Sequence, residues 1–184
     1  SARALLVDVA DGREVATHVA KYPHGVIDEA LPSGPRLGKD WALQSPDDWL
    51  LTLQQSVRAT MKASKVKPED VIGIGIDFTA CTMLPVTADG TPFCKLPKHA
   101  KNPNAWPKLW KHHAAQGQAD RINATARKMG CDFLERYGGK VSSEWMYAKS
   151  LQILEEAPQI YNEAARLLEG ADWVVWQMTG VERR

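Results

Sequence analysis

The sequence predicts an α/β domain built on a mixed sheet, and three observations carry that prediction. Val71-Ile72-Gly73-Ile74-Gly75-Ile76 is a short apolar, β-branched run of the kind that is buried on both faces of a parallel sheet. Asp11-Gly12 and Asp89-Gly90 each sit between β-rich runs and predict antiparallel hairpins. Elsewhere the apolar residues recur at helical spacing.

In chain order, residues 4–9 and 14–22 are the arms of the first hairpin. Residues 23–44 carry Pro23, Gly25, Pro32, Gly34, Pro35 and Gly38, which break any period and predict a long ordered loop, a feature that often has a functional role. Ser45-Pro46-Asp47-Asp48 supplies an N-cap, a first-turn proline and an acid three residues after the cap, with Leu50, Leu53, Val57 and Met61 on the expected buried face of the helix. The strand at 71–77 is entered from the turn Pro68-Glu69-Asp70, and residues 82–86 and 91–96 form the second expected hairpin.

Beyond Asn102-Pro103 the spacing of Trp106, Leu109, His113 and Gln116 predicts a helix, and a second runs from Ala119 to Met129 until Gly130 stops it. Residues 136–142 read as a loop. Ser143 is placed to cap a helix bearing Trp145, Met146, Leu151, Ile153 and Leu154, and Pro158 opens another that runs to Leu168. The apolar run 172–178 fits a strand or a helix equally well.

Composition narrows the function. The 23 Lys and Arg residues nearly balance 22 Asp and Glu, so no strong field favours nucleic acid or an anionic membrane surface, and a charged ligand must be held locally. Cys81, Cys94 and Cys131 form no Cys-x-x-Cys pair, which suits a reduced, cytoplasmic setting better than a disulfide framework. A Walker-type phosphate loop fails at Gly139-Lys140, where Leu134 and Val141 stand in for the first glycine and the Ser or Thr. Gly73-x-Gly75 fails as a dinucleotide fingerprint, because Phe78 occupies the third glycine position. His112-His113 are adjacent, and no His or Cys pattern suggests a metal site.

What survives is the end of the 71–77 strand. Asp77, Thr79 and Thr82 offer a carboxylate and hydroxyls for a polyol at the carboxyl edge of a sheet, where open α/β folds bind ligands; a turn in which Asp77 and Thr79 only satisfy local backbone fits the same residues. Trp106 and Trp110, beside Lys111, His112 and His113, read as core or as a ligand platform, and Lys140 in its Gly-Gly loop as an anion contact or a solvated surface charge.

The run Ile74-Gly75-Ile76-Asp77-Phe78-Thr79-Ala80-Cys81-Thr82-Met83-Leu84-Pro85 resembles the ribulokinases of the FGGY carbohydrate kinase family. The likeness resumes at Asn102-Pro103-x-x-Trp106-x-Lys108-Leu109-Trp110-Lys111-His112-His113-Ala114-Ala115-Gln116, at Arg136-Tyr137-Gly138-Gly139-Lys140-x-Ser142-Ser143-Glu144-Trp145-Met146 and at residues 172–180. His24-Gly25-Val26-Ile27-Asp28 and Trp41-Ala42-Leu43-Gln44 extend it into the long loop.

The resemblance implies an actin-like, ribonuclease-H-like fold in which two α/β domains close on a sugar and MgATP, with residues 1–184 forming part of the N-terminal domain. It implies that the parent transfers the γ-phosphate of ATP to the terminal hydroxyl of L-ribulose in arabinose catabolism. Xylulose kinases usually carry a Gln-Met-His-type segment where this chain has Phe78-Thr79-Ala80-Cys81-Thr82, which favours ribulose. By the same resemblance Ala80 and Trp110 are the expected pentulose contacts, with Thr79, Asp77 and Lys140 as further candidates. The family's Asp-x-Gly-Thr phosphate loop, its aspartate base and its adenosine site have no counterpart in these residues, so the 184-residue piece alone is expected to be inactive, with ATP and Mg2+ bound mainly elsewhere in the parent. A kinase for D-ribulose, xylulose or a pentitol, and a non-catalytic actin-fold module, remain alternatives. Without a parallel neighbour, the 71–77 strand is expected to expose apolar surface, so that the isolated piece aggregates or forms homo-oligomers.

Overall fold

The computed structural model of the chain describes residues 1–32 and 34–182. The chain forms two compact units, one from Ser1–Gly25 and Ser45–Asp77, the other from Val26–Gln44 and the residues from Phe78 onward.

In the first unit, β1 (Ala2–Val7) and β2 (Glu14–Ala20) pair antiparallel, with Ala2 opposite Ala20 and Leu6 opposite Ala16. Gly12 supplies the left-handed turn residue at φ 75°, as the Asp-Gly pair predicts. Along β1 the side chains alternate, Ala2, Ala4 and Leu6 half-buried and Leu5 and Val7 exposed. The helix α1 (Pro46–Ser64) starts where its signals place it and packs on the hairpin.

Its buried stripe, however, is Trp49, Thr52, Ser56 and Thr60; the expected Leu50, Leu53, Val57 and Met61 are only partly covered. Hydroxyls explain the difference. Thr52 donates to the Asp48 carbonyl at 2.7 Å and Thr60 to the Ala4 carbonyl at 3.3 Å, so small polar residues are buried fully paired and let the helix approach the sheet closely. Asp48 does not cap its own helix. It is buried, accepts from the His24 backbone N–H at 2.8 Å and lies 2.8 Å from His24 Nδ1.

Residues 71–77 depart most from expectation. They carry no strand pairing, and Ile72 and Ile74 are 81% and 65% exposed. A β-branched run becomes a strand only when a neighbouring ladder takes up its N–H and C=O groups, and among the described residues no strand pairs with it. The parallel part of the predicted sheet is therefore missing there, and the exposure matches the consequence foreseen for an unpartnered run.

In the second unit, β3 (Met83–Val86) pairs antiparallel with β4 (Arg166–Glu169), Met83 facing Glu169. The Asp89-Gly90 turn forms, but the expected return strand does not: Pro92 makes one bridge with Val86 and the chain enters a 3₁₀ turn at Phe93–Lys95. Proline has no N–H to continue a ladder. Likewise Trp106-Pro107 forbids the predicted helix through Leu109 and Gln116, because proline disfavours helical geometry in the residue before it. That stretch instead runs extended at Lys108, and α2 (Gln116–Lys128) begins later, ending before Gly130 at φ 65°.

After α3 (Phe133–Arg136), α4 (Met146–Glu156) starts behind Trp145 rather than from a cap at Ser143, which is buried in the preceding turn. The helix expected to reach Leu168 stops as α5 (Pro158–Glu163), since Arg166–Glu169 is claimed by β3. The ambiguous apolar run is a helix, α6 (Gly170–Thr179), which buries Trp173 and Val174.

Single bridges extend the β3–β4 pair across the unit. Ile27 pairs with Leu43, Leu43 with Lys108, Lys108 with Met83 and Met83 with Glu169, all antiparallel. The long loop is thus drawn into a sheet-like row. Met83, Phe93, Ile153 and Ile160 form one core cluster beside it, Ile27, Leu31 and Leu43 another, and Trp106 packs against both. Among the described residues no helix is long and apolar enough to cross a membrane.

Candidate functional site

The Lys108–Met83 bridge joins the segment that follows the Ala80 turn to the segment that leads into Trp110. On the flanks the same end of the row holds Asp40 to Ala42, where the Leu109 N–H donates to the Ala42 carbonyl at 2.9 Å and the His113 N–H to the Asp40 carbonyl at 3.0 Å. On the other side the Gly170 N–H donates to the Thr82 carbonyl at 2.6 Å. The row therefore collects the turn bearing Thr79 and Ala80, the segment bearing Trp110, and the end of the long loop.

Ala80 is exposed and the Trp110 ring is 44% exposed, unlike Trp106, whose Nε1 donates to the Ala100 carbonyl at 2.9 Å from a partly buried place between the two core clusters. Thr79 Oγ1 lies 3.0 Å from Thr82 Oγ1, so its hydroxyl is already engaged within the turn. Asp77 is exposed and closes the first unit. Lys140 is exposed elsewhere in the second unit, in a loop whose neighbours bind α2: Arg127 donates to the Gly139 carbonyl and Asn123 makes two bonds with the Val141 backbone. Ala80 and Trp110 thus adjoin two residues, Cys81 and Leu109, whose carbonyls share the Lys149 ammonium, and Lys140 lies in a loop bonded to α2.

Cys81 is the strained residue of the turn, at φ 62°, a left-handed conformation that costs a non-glycine residue on the order of 1–3 kcal/mol. Its carbonyl accepts from Lys149 Nζ at 2.6 Å. Burial pushes the Cys81 thiol up, with Glu169 adding to the effect, and burial also raises the Glu169 carboxyl against the pull of Lys149.

Beneath the row lies a chain of buried polar groups. Lys108 Nζ donates to Asn104 Oδ1 at 2.8 Å and sits 4.1 Å from the centre of the Trp41 ring. Asn104 and Gln152 both donate to Glu156, and Gln152 Oε1 faces His112 Nε2 at 2.9 Å. Burial holds the Lys108 ammonium well below the usual lysine range and Lys149 at about 8. None of these groups was marked by a spacing motif in the sequence. Lysines in an apolar stretch read as surface charges until the carbonyls they meet are known.

The surface of the second unit opens into a depression of ≈ 300 Å³, walled by Asp28, Lys39, Asp40 and Trp41 from the long loop and by Lys111 and His113. It is polar and mixed in charge, a surface suited to hydroxyl-rich ligands. Among the described residues no group of three His, Cys, Asp or Glu could hold a metal ion.

No family model matches the chain. It is 56% identical over 181 residues to the ribulokinase of Halalkalibacterium halodurans and 57% identical over 181 residues to that of Geobacillus thermodenitrificans, covering 98% of this chain and 32% of each relative. A crystal structure of a xyloylose kinase from Brucella ovis superposes with a TM-score of 0.70 at 17% identity, over 95% of this chain and 31% of that one. That likeness bears on the fold, which is the actin-like, ribonuclease-H-like α/β fold of the sugar kinases. The chain spans about a third of the length of the curated relatives it matches. Identity above one half over 98% of its length makes this chain a segment belonging to the ribulokinases of the FGGY carbohydrate kinase family.

Proposed function

We propose that this segment forms one wall of the sugar site of an ATP-dependent kinase that phosphorylates the terminal hydroxyl of L-ribulose. One observation supports the reading: the Lys108–Met83 bridge joins the segments that carry Ala80 and Trp110, both exposed, in a chain more than half identical to ribulokinases. Trp110 offers an apolar face to the C–H side of a pentulose, and Ala80 leaves room for a hydroxyl to reach the turn backbone. The depression in the second unit supplies Asp28, Asp40 and Lys111 as polar partners for the open-chain end of the sugar. Thr79 and, on the family resemblance, Asp77 and Lys140 are further candidates for sugar contact.

Phosphoryl transfer depends on positioning and on neutralising phosphate charge. The residues of this chain hold and orient the sugar and keep water from its reacting hydroxyl. No step through MgATP is assigned to them; the likeness to kinases supports ATP and a divalent ion as cosubstrates of the whole protein. This division makes the chain part of the first domain of a two-domain enzyme acting in the cytoplasm.

The test is coupled ADP detection with the full-length protein across L-ribulose, D-ribulose, xylulose and pentitols. Turnover led by L-ribulose is expected. Turnover of none of them would refute the kinase reading, and preference for xylulose or a pentitol would refute the sugar assignment.

A further inference from the structure

Lys149 projects from α4 and is fully buried, with its ammonium between two backbone segments. Nζ donates to the Cys81 carbonyl at 2.6 Å and to the Leu109 carbonyl at 2.8 Å. Those residues directly follow Ala80 and directly precede Trp110. We propose that Lys149 is a positioning residue for the sugar site, fixing the Ala80 turn and Trp110 relative to each other from below; the sugar role rests on the function proposed above.

Three features support this over a purely structural role. The left-handed φ of Cys81 needs an outside partner to hold it, and Lys149 binds the carbonyl of that same residue. The Leu109 carbonyl already accepts from the His112 N–H at 2.9 Å, so Lys149 is not required to satisfy it; the second bond serves to join the two segments. A buried ammonium is also costly compared with an apolar side chain of similar size. Its neighbours Glu144 and Glu169 favour its charge while the buried Lys108 and the thiol-bearing turn surround it. A core position filled for stability alone is better served by Met.

The experiment compares Lys149→Met and Lys149→Gln with Ile153→Ala in the full-length protein. Ile153 is equally buried on the same helix and belongs to the core cluster, so its truncation reports loss of stability alone. Two readouts are taken: KM for sugar and for ATP, and the ¹⁹F resonance of 5-fluorotryptophan at position 110, assigned with Trp110→Phe. The expected result is a displaced Trp110 resonance and at least a tenfold rise in sugar KM, with ATP KM within twofold, in the Lys149 variants but not in Ile153→Ala. A displaced resonance with unchanged sugar KM supports the clamp and overturns the sugar-site assignment beneath it. An undisplaced resonance in both Lys149 variants, or a KM change that Ile153→Ala reproduces at matched loss of Tm, overturns the clamp. Lys149→Gln keeps a donor and a similar length, so the comparison survives if the Met variant does not fold.

Discussion

The imidazole Nε2 of His112 lies 2.9 Å from Gln152 Oε1, while its Nδ1 accepts the Ala42 backbone N–H at 3.2 Å. The two bonds together require one tautomer, neutral and protonated at Nε2. Burial first, and the Lys108 charge second, lower the His112 pKa to about 3.

That neutral state predicts acid sensitivity. The folded pKa is depressed below the ordinary 6.5, so the stabilisation is present above pH 6.5 and is lost as pH falls towards 3. Between pH 7 and 5 the unfolded chain takes up a proton that the folded chain refuses, which removes about 2 kcal/mol. Denaturant titrations of the wild-type and His112→Asn proteins should show their stability difference shrinking by about that amount over this range. Parallel pH curves would mean that His112 is not held neutral.

Gly170 predicts a coupling between the start of α6 and the Ala80 turn. A Cβ there would lie 2.7 Å from Phe78 Cε1, yet its backbone is not in the left-handed region, so alanine meets a packing conflict without backbone strain. Gly170→Ala should displace the Phe78 ring, cost about 1–3 kcal/mol and raise the sugar KM severalfold. Unchanged KM with a large loss of stability would place Phe78 in the core and outside the site's mechanics.

Asn123 predicts the stability of the Lys140 loop. Its side chain donates to the Val141 carbonyl at 2.9 Å and accepts the Val141 N–H at 2.7 Å, both bonds buried. Asn123→Ala strands two backbone groups and should cost about 2–4 kcal/mol, with faster amide exchange at Val141. Because the Lys140 loop is tied to α2 and not to the Ala80 turn, sugar KM should stay within twofold. A tenfold rise would bring Lys140 back among the sugar contacts.

The hairpin at Asp11-Gly12, the start of α1 and the stop at Gly130 were legible because each depends on one or two residues with strong local geometry. Residues 71–77 were misread as a buried strand because strand formation is decided by a partner, and composition does not supply one. The false helix through Leu109 arose from a periodic pattern that Pro107 interrupts, and the hydroxyl stripe of α1 was invisible to a search for apolar faces. Ala80 and Trp110 are proposed for the site on the family resemblance, since neither belongs to a motif that spacing alone would single out. Lys149 was not legible at all, since what distinguishes it is a pair of carbonyls 68 and 40 residues away in the chain.

The most direct test is the kinetics of Trp110→Ala in the full-length protein, with L-ribulose and ATP varied separately. Trp110 is 44% exposed and is the proposed pentulose platform, so its removal should raise the L-ribulose KM at least tenfold while the ATP KM stays within twofold. An unchanged L-ribulose KM, or an equal loss for ATP, would contradict the assignment of this segment to the sugar wall.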